Sequence, residues 1–590
     1  MVYLPRGVGD FEPMASTRSF PSRDVLRRPR FSPVDVVVFV AIALLLFGIL
    51  RLARSLNSSS ATAHVAVIST DPANLPYYAA RSLLRMFIAF FLSVVFTFVY
   101  ATAAARSRRA RIVLIPILDI LQSVPILGFL AITVTFFIAL FPGSELGLEC
   151  AAIFAIFTSM AWNMTFSMYH SLITQPVELD EAARMFRLTK WERFWRLDVP
   201  SSMIGLVWNG MLSFGGGWFF LAASEAISVG NKTYTLPGIG SYVAAAVDKG
   251  DIGEVGIAIG VMVILVVGVN FVFWRPLVAY AEKFRVETSE SAEQPKSYVL
   301  NLLRESSIPS YIAKPLKPAG RVLDRVTRPF GLAEYPLRSP EYKRRAGDIV
   351  FAAVTGAVIV WGVYRGVVYF AHTAGFGQFA RCLYLGFITL VRVIVVVVVS
   401  TVIWVPIGAK IGLSPRLSRY AQPVVQVLAS FPAILLFPFA IVIFLALHLS
   451  LDYGAIFLMA LGSQWYILFN VIAGASAIPT ELREMADQFR FPWKQRWREL
   501  ILPGIFPYYV TGGITAAGGA WNASIVAEIV TYGKHHLVSS GLGAYIAQAT
   551  AKGDFAEVLA GIVVMSFYVV VVNRLLWRPL YHLAETKYSL

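Results

Sequence analysis

Residues 176–200, PVELDEAARMFRLTKWERFWRLDVP, return 303 positions later as residues 479–503, PTELREMADQFRFPWKQRWRELILP. Ten of the 25 positions are identical, among them Glu178/Glu481, Glu181/Glu484, Ala183/Ala486, Phe186/Phe489 and Arg187/Arg490, and both stretches end on proline. Acids come first and bases and aromatics later, the order that suits a helix with a positive N-terminus and a negative C-terminus. Each stretch therefore reads as an amphipathic surface helix that offers Phe and Trp to something outside itself. The plainer alternative is a helix lying on lipid headgroups.

Working outward, the same offset carries Trp218 onto Trp521, Glu225 onto Glu528, and Gly238-Ile239-Gly240 onto Gly541-Leu542-Gly543. It also carries Trp274-Arg275-Pro276-Leu277 onto Trp577-Arg578-Pro579-Leu580. Upstream the offset becomes 307, which matches Arg85 to Arg392, Pro116 to Pro423 and Pro125 to Pro432. The four extra residues of the first copy then fall in the loop around residues 141–149. The chain is a tandem duplication, the first thing to look for in a long sequence.

Of the 590 residues, 57% are hydrophobic and 15% charged, against about 25% charged in soluble domains. The apolar residues arrive in blocks of about 20, long enough to cross a hydrocarbon core of ~30 Å as helices. Six such segments fall in each half, near 34–53, 80–104, 112–140, 150–171, 201–229 and 252–274, then near 348–370, 386–409, 421–447, 454–475, 504–532 and 555–577. The expected fold is an all-α integral membrane protein of about twelve transmembrane helices, arranged as a six plus six duplication. Six is even, so the two halves share one orientation and the repeat is parallel.

The net charge of +16 raises the question of nucleic acid, but its distribution points to a membrane. Arg is dense before the first apolar block and again at Arg106, Arg108, Arg109 and Arg111, whereas residues 57–80 contain no Lys or Arg. Alternate connections are thus basic, as the positive-inside rule requires. The expected organisation is a cytoplasmic N-terminal segment 1–33, a first half 34–277, a cytoplasmic linker 278–345 rich in Pro and charge, a second half 346–580, and a tail 581–590. Both termini are expected on the cytoplasmic side, with lipid as the surrounding partner and no nucleic acid.

No catalytic or metal constellation emerges. Cys150 and Cys382 have no neighbouring Cys or His, which argues against a disulfide framework or a zinc site. His535-His536 are adjacent, so on a helix they would point apart. Asp251-Ile-Gly-Glu254 and Asp554-Phe-Ala-Glu557 match helix N-caps with an acid three residues on. No G-x-x-x-x-G-K-[ST] run is present to cradle ATP phosphates, so no cofactor is expected in this chain and it is not expected to be an enzyme.

Glu181-Ala182-Ala183, within the loop quoted above, resembles the EAA signature of ABC-importer permeases; Glu484-Met485-Ala486 is a weaker copy. Within that family the chain is most similar to the nitrate/sulfonate/taurine type, through Ser82-Leu-Leu-Arg85 and Thr389-Leu-Val-Arg392, the spacing from Trp218 to Glu225, and the Gly-x-Gly before the last helix. Permeases of that type are mostly single halves that dimerise, whereas here both halves share a chain. The resemblance implies a type I importer-like fold in a bacterial cytoplasmic (inner) membrane. It also implies two separate ATPase subunits that bind ATP and Mg, a periplasmic or extracellular substrate-binding protein, and a small anionic solute. On this resemblance Glu178, Glu181, Ala182, Ala183, Phe186 and Arg187, with Glu481, Glu484, Ala486, Phe489 and Arg490, form the ATPase-coupling loops. One departure is that the family has Gly where Arg187 and Arg490 stand, a residue that eases the turn between two short helices.

Arg85, Arg392, Trp218, Trp521, Glu225 and Glu528 are the candidate pathway or gate residues. Charged groups within apolar segments are costly unless paired or wet, so Glu225 and Glu528 are either pathway groups or members of structural ion pairs. For Arg85 and Arg392 the compensating anion is one of these carboxylates, a lipid headgroup or the solute. The glycine runs Gly215-Gly216-Gly217 and Gly512-Gly513 with Gly518-Gly519 read as close helix packing or as backbone lining a path. The rival to an importer is a secondary active transporter with two six-helix halves; a channel or scaffold would leave the matched cytoplasmic helices unexplained.

Overall fold

The computed structural model describes residues 68–142, 144–186, 188–229, 232–284, 298–305, 341–373 and 375–588, with four isolated positions between 318 and 326. The expected first segment, 34–53, and most of the linker lie outside the described residues. The first half runs α1 (Leu75–Arg106), α2 (Arg108–Ser123), α3 (Ile126–Leu140), α4 (Glu145–Ile173), α5 (Val177–Met185), α6 (Val199–Glu225), β1 (Ala226–Val229), β2 (Lys232–Thr235), α7 (Ile239–Lys249) and α8 (Ile252–Val269). The second runs α9 (Glu341–Thr373), α10 (Gly375–Gly412), α11 (Pro415–Ser430), α12 (Phe437–Ala446), α13 (Leu451–Ala477), α14 (Thr480–Gln488), α15 (Leu502–Ala527), β3 (Ile529–Tyr532), β4 (His535–Val538), α16 (Leu542–Lys552) and α17 (Phe555–Val572).

Nine of the described helices are long and apolar enough to cross a membrane, or eleven if each of two bent pairs counts as one span. The protein is a multi-pass, predominantly helical membrane protein built as a duplication. In each half three long helices form the centre: α1 packs on α4 and α4 on α6, as α10 packs on α13 and α13 on α15. The framework helix α6 is 27 residues long, or ~40 Å at 1.5 Å per residue. It runs from the surface loop at one end of the membrane domain to the hairpin at the other.

The third apolar segment of each half, continuous in the sequence, is broken. α2 and α3 meet at 102°, and residues 415–430 and 433–446 at 84°. Pro125 and Pro432 are the cause, since the residue before a proline is pushed to extended backbone. Val124 and Phe431 accordingly have ψ of 125° and 131°.

The structure also adds two antiparallel hairpins, β1–β2 and β3–β4, at the ends of α6 and α15. They bind the halves to each other. β1 packs on α16 and β3 on α7, the Gly533 N–H donates to the Val247 carbonyl at 3.0 Å, and the Tyr532 hydroxyl donates to the Gly250 carbonyl at 3.0 Å. Near the far end of the last span in each half lies one wide π-helical turn, Asn270–Trp274 and Asn573–Trp577.

Candidate functional site

α5 and α14 begin directly after Pro176 and Pro479, where a missing N–H costs nothing. Both carry acids in the first turn, Glu178 with Asp180 in one and Glu481 in the other. Ala183 and Ala486 are the buried residues of their helices and root them on the membrane domain. Glu178, Glu181, Glu481 and Glu484 are exposed and Ala182 is half-buried. Phe186 and Phe489 are left 78% and 71% exposed at matched positions.

Both helices end in the same closure. The Leu188 N–H donates to the Ala183 carbonyl at 3.0 Å and the Phe491 N–H to the Ala486 carbonyl at 2.9 Å, the long-range bond of a Schellman turn. Such a turn calls for a left-handed residue, and in the second copy that residue is Arg490, with φ +50°. Glycine takes this conformation freely; with Arg490 the turn is kept and carries the strain of a side chain at positive φ. Arg187 lies outside the described residues.

One relationship escaped the sequence reading. Position 180 is acidic and 184 basic in the first copy, and in the second the equivalents are Arg483 and Asp487, so the two charges are exchanged. Arg193 and its copy Arg496 both keep a partner. Arg193 pairs with Asp180, and Arg496 with Asp487.

At the hairpin end of each half lies a buried ion cluster. Arg85 makes a fork to Glu149, Nε to Oε2 at 2.6 Å and Nη2 to Oε1 at 2.7 Å. Its Nη1 donates to Glu225 Oε1 at 2.8 Å and to the Pro237 carbonyl at 2.9 Å. Glu225 further accepts from Ser82 Oγ at 2.5 Å and from the Gly240 N–H at 2.7 Å. In the second half Arg392 donates to Glu528 at 2.9 Å, to Asp452 at 2.9 Å and to the Ser540 carbonyl at 2.8 Å. Glu528 accepts from Thr389 Oγ1 at 2.8 Å and from the Gly543 N–H at 2.8 Å.

The Gly-x-Gly motif serves this cluster. A Cβ on Gly238 or Gly541 would strike the carboxylate of Glu225 or Glu528, and one on Gly240 or Gly543 would strike the Ala222 or Ser524 carbonyl. Glu149 and Asp452 were missed in the sequence. The signal was present, since they match at the offset of 303, but Glu149 borders the loop where the offset changes.

Between the halves lies a cavity of about 340 Å³, walled by α4, α6, α13 and α15 with the α2–α3 bend and the turn Asn573–Trp577. Of the six candidate pathway residues, Trp521 is on its wall; Arg85, Arg392, Glu225 and Glu528 are not, and Trp218 faces a separate small cavity beside Ser430. The glycines divide in the same way. Gly215 and Gly217 are packed against Ser430 and Met160, while Gly216, Gly518 and Gly519 line the cavity.

Residues 93–277, and again 403–578, match the protein family described as binding-protein-dependent transport system inner membrane component. The chain belongs to that family. The two matches cover more than half of it and fall one in each copy of the duplication, so the chain carries two such permease domains in tandem. It is similar to a nitrate import permease protein of Synechococcus elongatus, 28% identical over 192 residues, which are 32% of this chain and 64% of that protein. It is also similar to a bicarbonate transport system permease protein of Synechocystis sp., 28% identical over 186 residues, 32% of this chain and 62% of that one. In both cases the match spans less than two thirds of the relative's own length.

Proposed function

We propose that this chain is the membrane pathway of an ATP-driven importer in a bacterial cytoplasmic membrane, with both permease halves on one polypeptide. Two ATPase subunits, each holding ATP and Mg, dock on α5 and α14. A binding protein delivers a small anion of the nitrate, bicarbonate or sulfonate class at the hairpin end. The basic N-terminus and linker support a cytoplasmic position for both termini and the docking helices.

The observation that carries this reading is the pair of matched turns. They project Phe186 and Phe489 from one end of the domain, on loops that lead directly into α6 and α15, the helices that wall the cavity. A helix transmits displacement along its axis, so a push on α5 moves the wall of the cavity. This couples nucleotide state to access without any covalent step in this chain.

The test is co-purification of an ATPase with the chain, followed by uptake of nitrate, bicarbonate and taurine into proteoliposomes. ATP-dependent uptake of one of them supports the reading. Uptake that follows an ion gradient without ATP supports a secondary transporter.

A further inference from the structure

The surface loop of the first half is tied to the membrane domain by charge. Asp198 is buried at the end of the wide turn Phe194–Asp198 and leads directly into α6. It pairs with Arg106, the last residue of α1, and lies 3.5 Å from Arg193 Nε. Arg193, also buried, pairs in turn with Asp180 on α5. Asp180, Arg193, Asp198 and Arg106 thus form a line of four charges from the docking helix to the ends of α1 and α6. Gln175, just before α5, runs beside it, accepting from Arg106 at 3.2 Å and donating to Ser201 Oγ at 2.6 Å.

The duplication supplies an internal control. At the matching positions the second half has Leu413 for Arg106, Ile478 for Gln175, Ile501 for Asp198 and Gly504 for Ser201. Ile478 and Ile501 are buried in one apolar cluster with Ala409 and Ile505, and Leu413 packs against it. Arg496, the copy of Arg193, keeps Asp487 on α14, in a pair whose side chains are 34% and 69% exposed, but the copy of the second acid is an isoleucine. The same junction is therefore ionic in one half and apolar in the other.

The two junctions part in different ways. Asp180 also has Arg184 at 2.6 Å, and Asp198 has Arg106, so Arg193 can leave either acid without stranding it, which is the loss that makes a buried pair costly to break. The apolar junction parts only by exposing its surface to water. On the permease reading above, we infer that Arg193 is a positioning residue, an exchangeable link between α5 and α6, and that the two loops are coupled unequally. Exchange at Arg193 gives the first loop two discrete seatings on the membrane domain, the kind of element that both ends of a coupled system can bias. The second loop moves as one body with α15.

Two measurements test this. In the first, the full chain in nanodiscs, without any ATPase, is followed by amide hydrogen exchange over residues 178–186 and 481–489. Arg193→Met should speed exchange in the first stretch about tenfold, the effect of one lost charge-assisted hydrogen bond, and Arg193→Lys should restore part of the protection. Arg496→Met should change the second stretch far less. No effect of Arg193→Met, or equal effects of the two Met variants, overturns the inference. In the second, the whole complex with its ATPase and binding protein takes up nitrate, bicarbonate or taurine, and uptake is read per ATP hydrolysed. Arg193→Met should hydrolyse ATP with little uptake, Arg193→Lys should recover uptake, and Arg496→Met should stay coupled. Full coupling in Arg193→Met overturns the inference. If the unsubstituted complex shows no ATP-driven uptake, the importer reading falls, while unequal exchange in the first measurement still supports the link at Arg193.

Discussion

Arg85 and Glu225, 140 positions apart in sequence, lie 2.8 Å apart and fully buried at the hairpin end of the first half. The contact ties α1 to α6 and, through the Gly240 N–H, to the start of α7. Arg392 and Glu528 tie α10, α15 and α16 in the same way. A charge in this setting is held by its partners: removing Arg85 strands the Glu225 carboxylate, while Glu149 keeps Arg81 at 2.6 Å.

Arg85→Gln should therefore destabilise the chain strongly, by about 3–5 kcal/mol, the usual consequence of breaking a buried pair from one side. Thermal unfolding in detergent should show the loss, and adding Glu225→Gln should restore part of it. Arg392→Gln should cost less, because its second partner Asp452 is half exposed, against 5% for Glu149. A stable Arg85→Gln chain that assembles but fails to transport would instead assign Arg85 to the solute.

Gly238→Ala should reproduce part of the Arg85→Gln defect without changing any charge, since the new methyl displaces the Glu225 carboxylate. Gly250→Ala is the contrasting case. Its φ is +71° but nothing lies within reach of a Cβ, so only backbone strain of about 1 kcal/mol is added.

Arg490→Gly should stabilise the second surface loop by about 0.5–1 kcal/mol, because glycine adopts φ +50° freely. Arg490→Ala should not. Hydrogen exchange at the Phe491 amide, which closes the turn, reads the difference directly. Equal protection in both variants would mean that the turn carries no strain.

Glu181→Arg and Glu484→Arg lie beyond the first turn, where the helix dipole contributes little, and each replaces an acid on an exposed face with a base. The expected outcome is a chain that still inserts, with ATP hydrolysis no longer tied to uptake, and a larger defect at Glu181, where the Glu-Ala-Ala signature is intact. Normal coupling in both variants would remove these helices from the mechanism.

The duplication, the apolar segments and the paired surface helices were legible because each leaves a periodic or repeated trace over many residues. The break at Pro125 and Pro432 was marked by repeated prolines, but hydropathy alone runs straight through it. The hairpins were hidden because strands of four residues are too short to show an alternation. The ion clusters were half legible: Arg85, Glu225 and their copies stood out as charges in apolar segments, whereas Glu149 and Asp452 sit near helix starts, where an acid is ordinary.

Native mass spectrometry of the purified, hydrolytically active complex reads whether one chain offers two docking helices to two ATPase subunits. One copy of this chain with two nucleotide-binding subunits, identical or related, is expected. A stable, active complex holding a single ATPase subunit would contradict it.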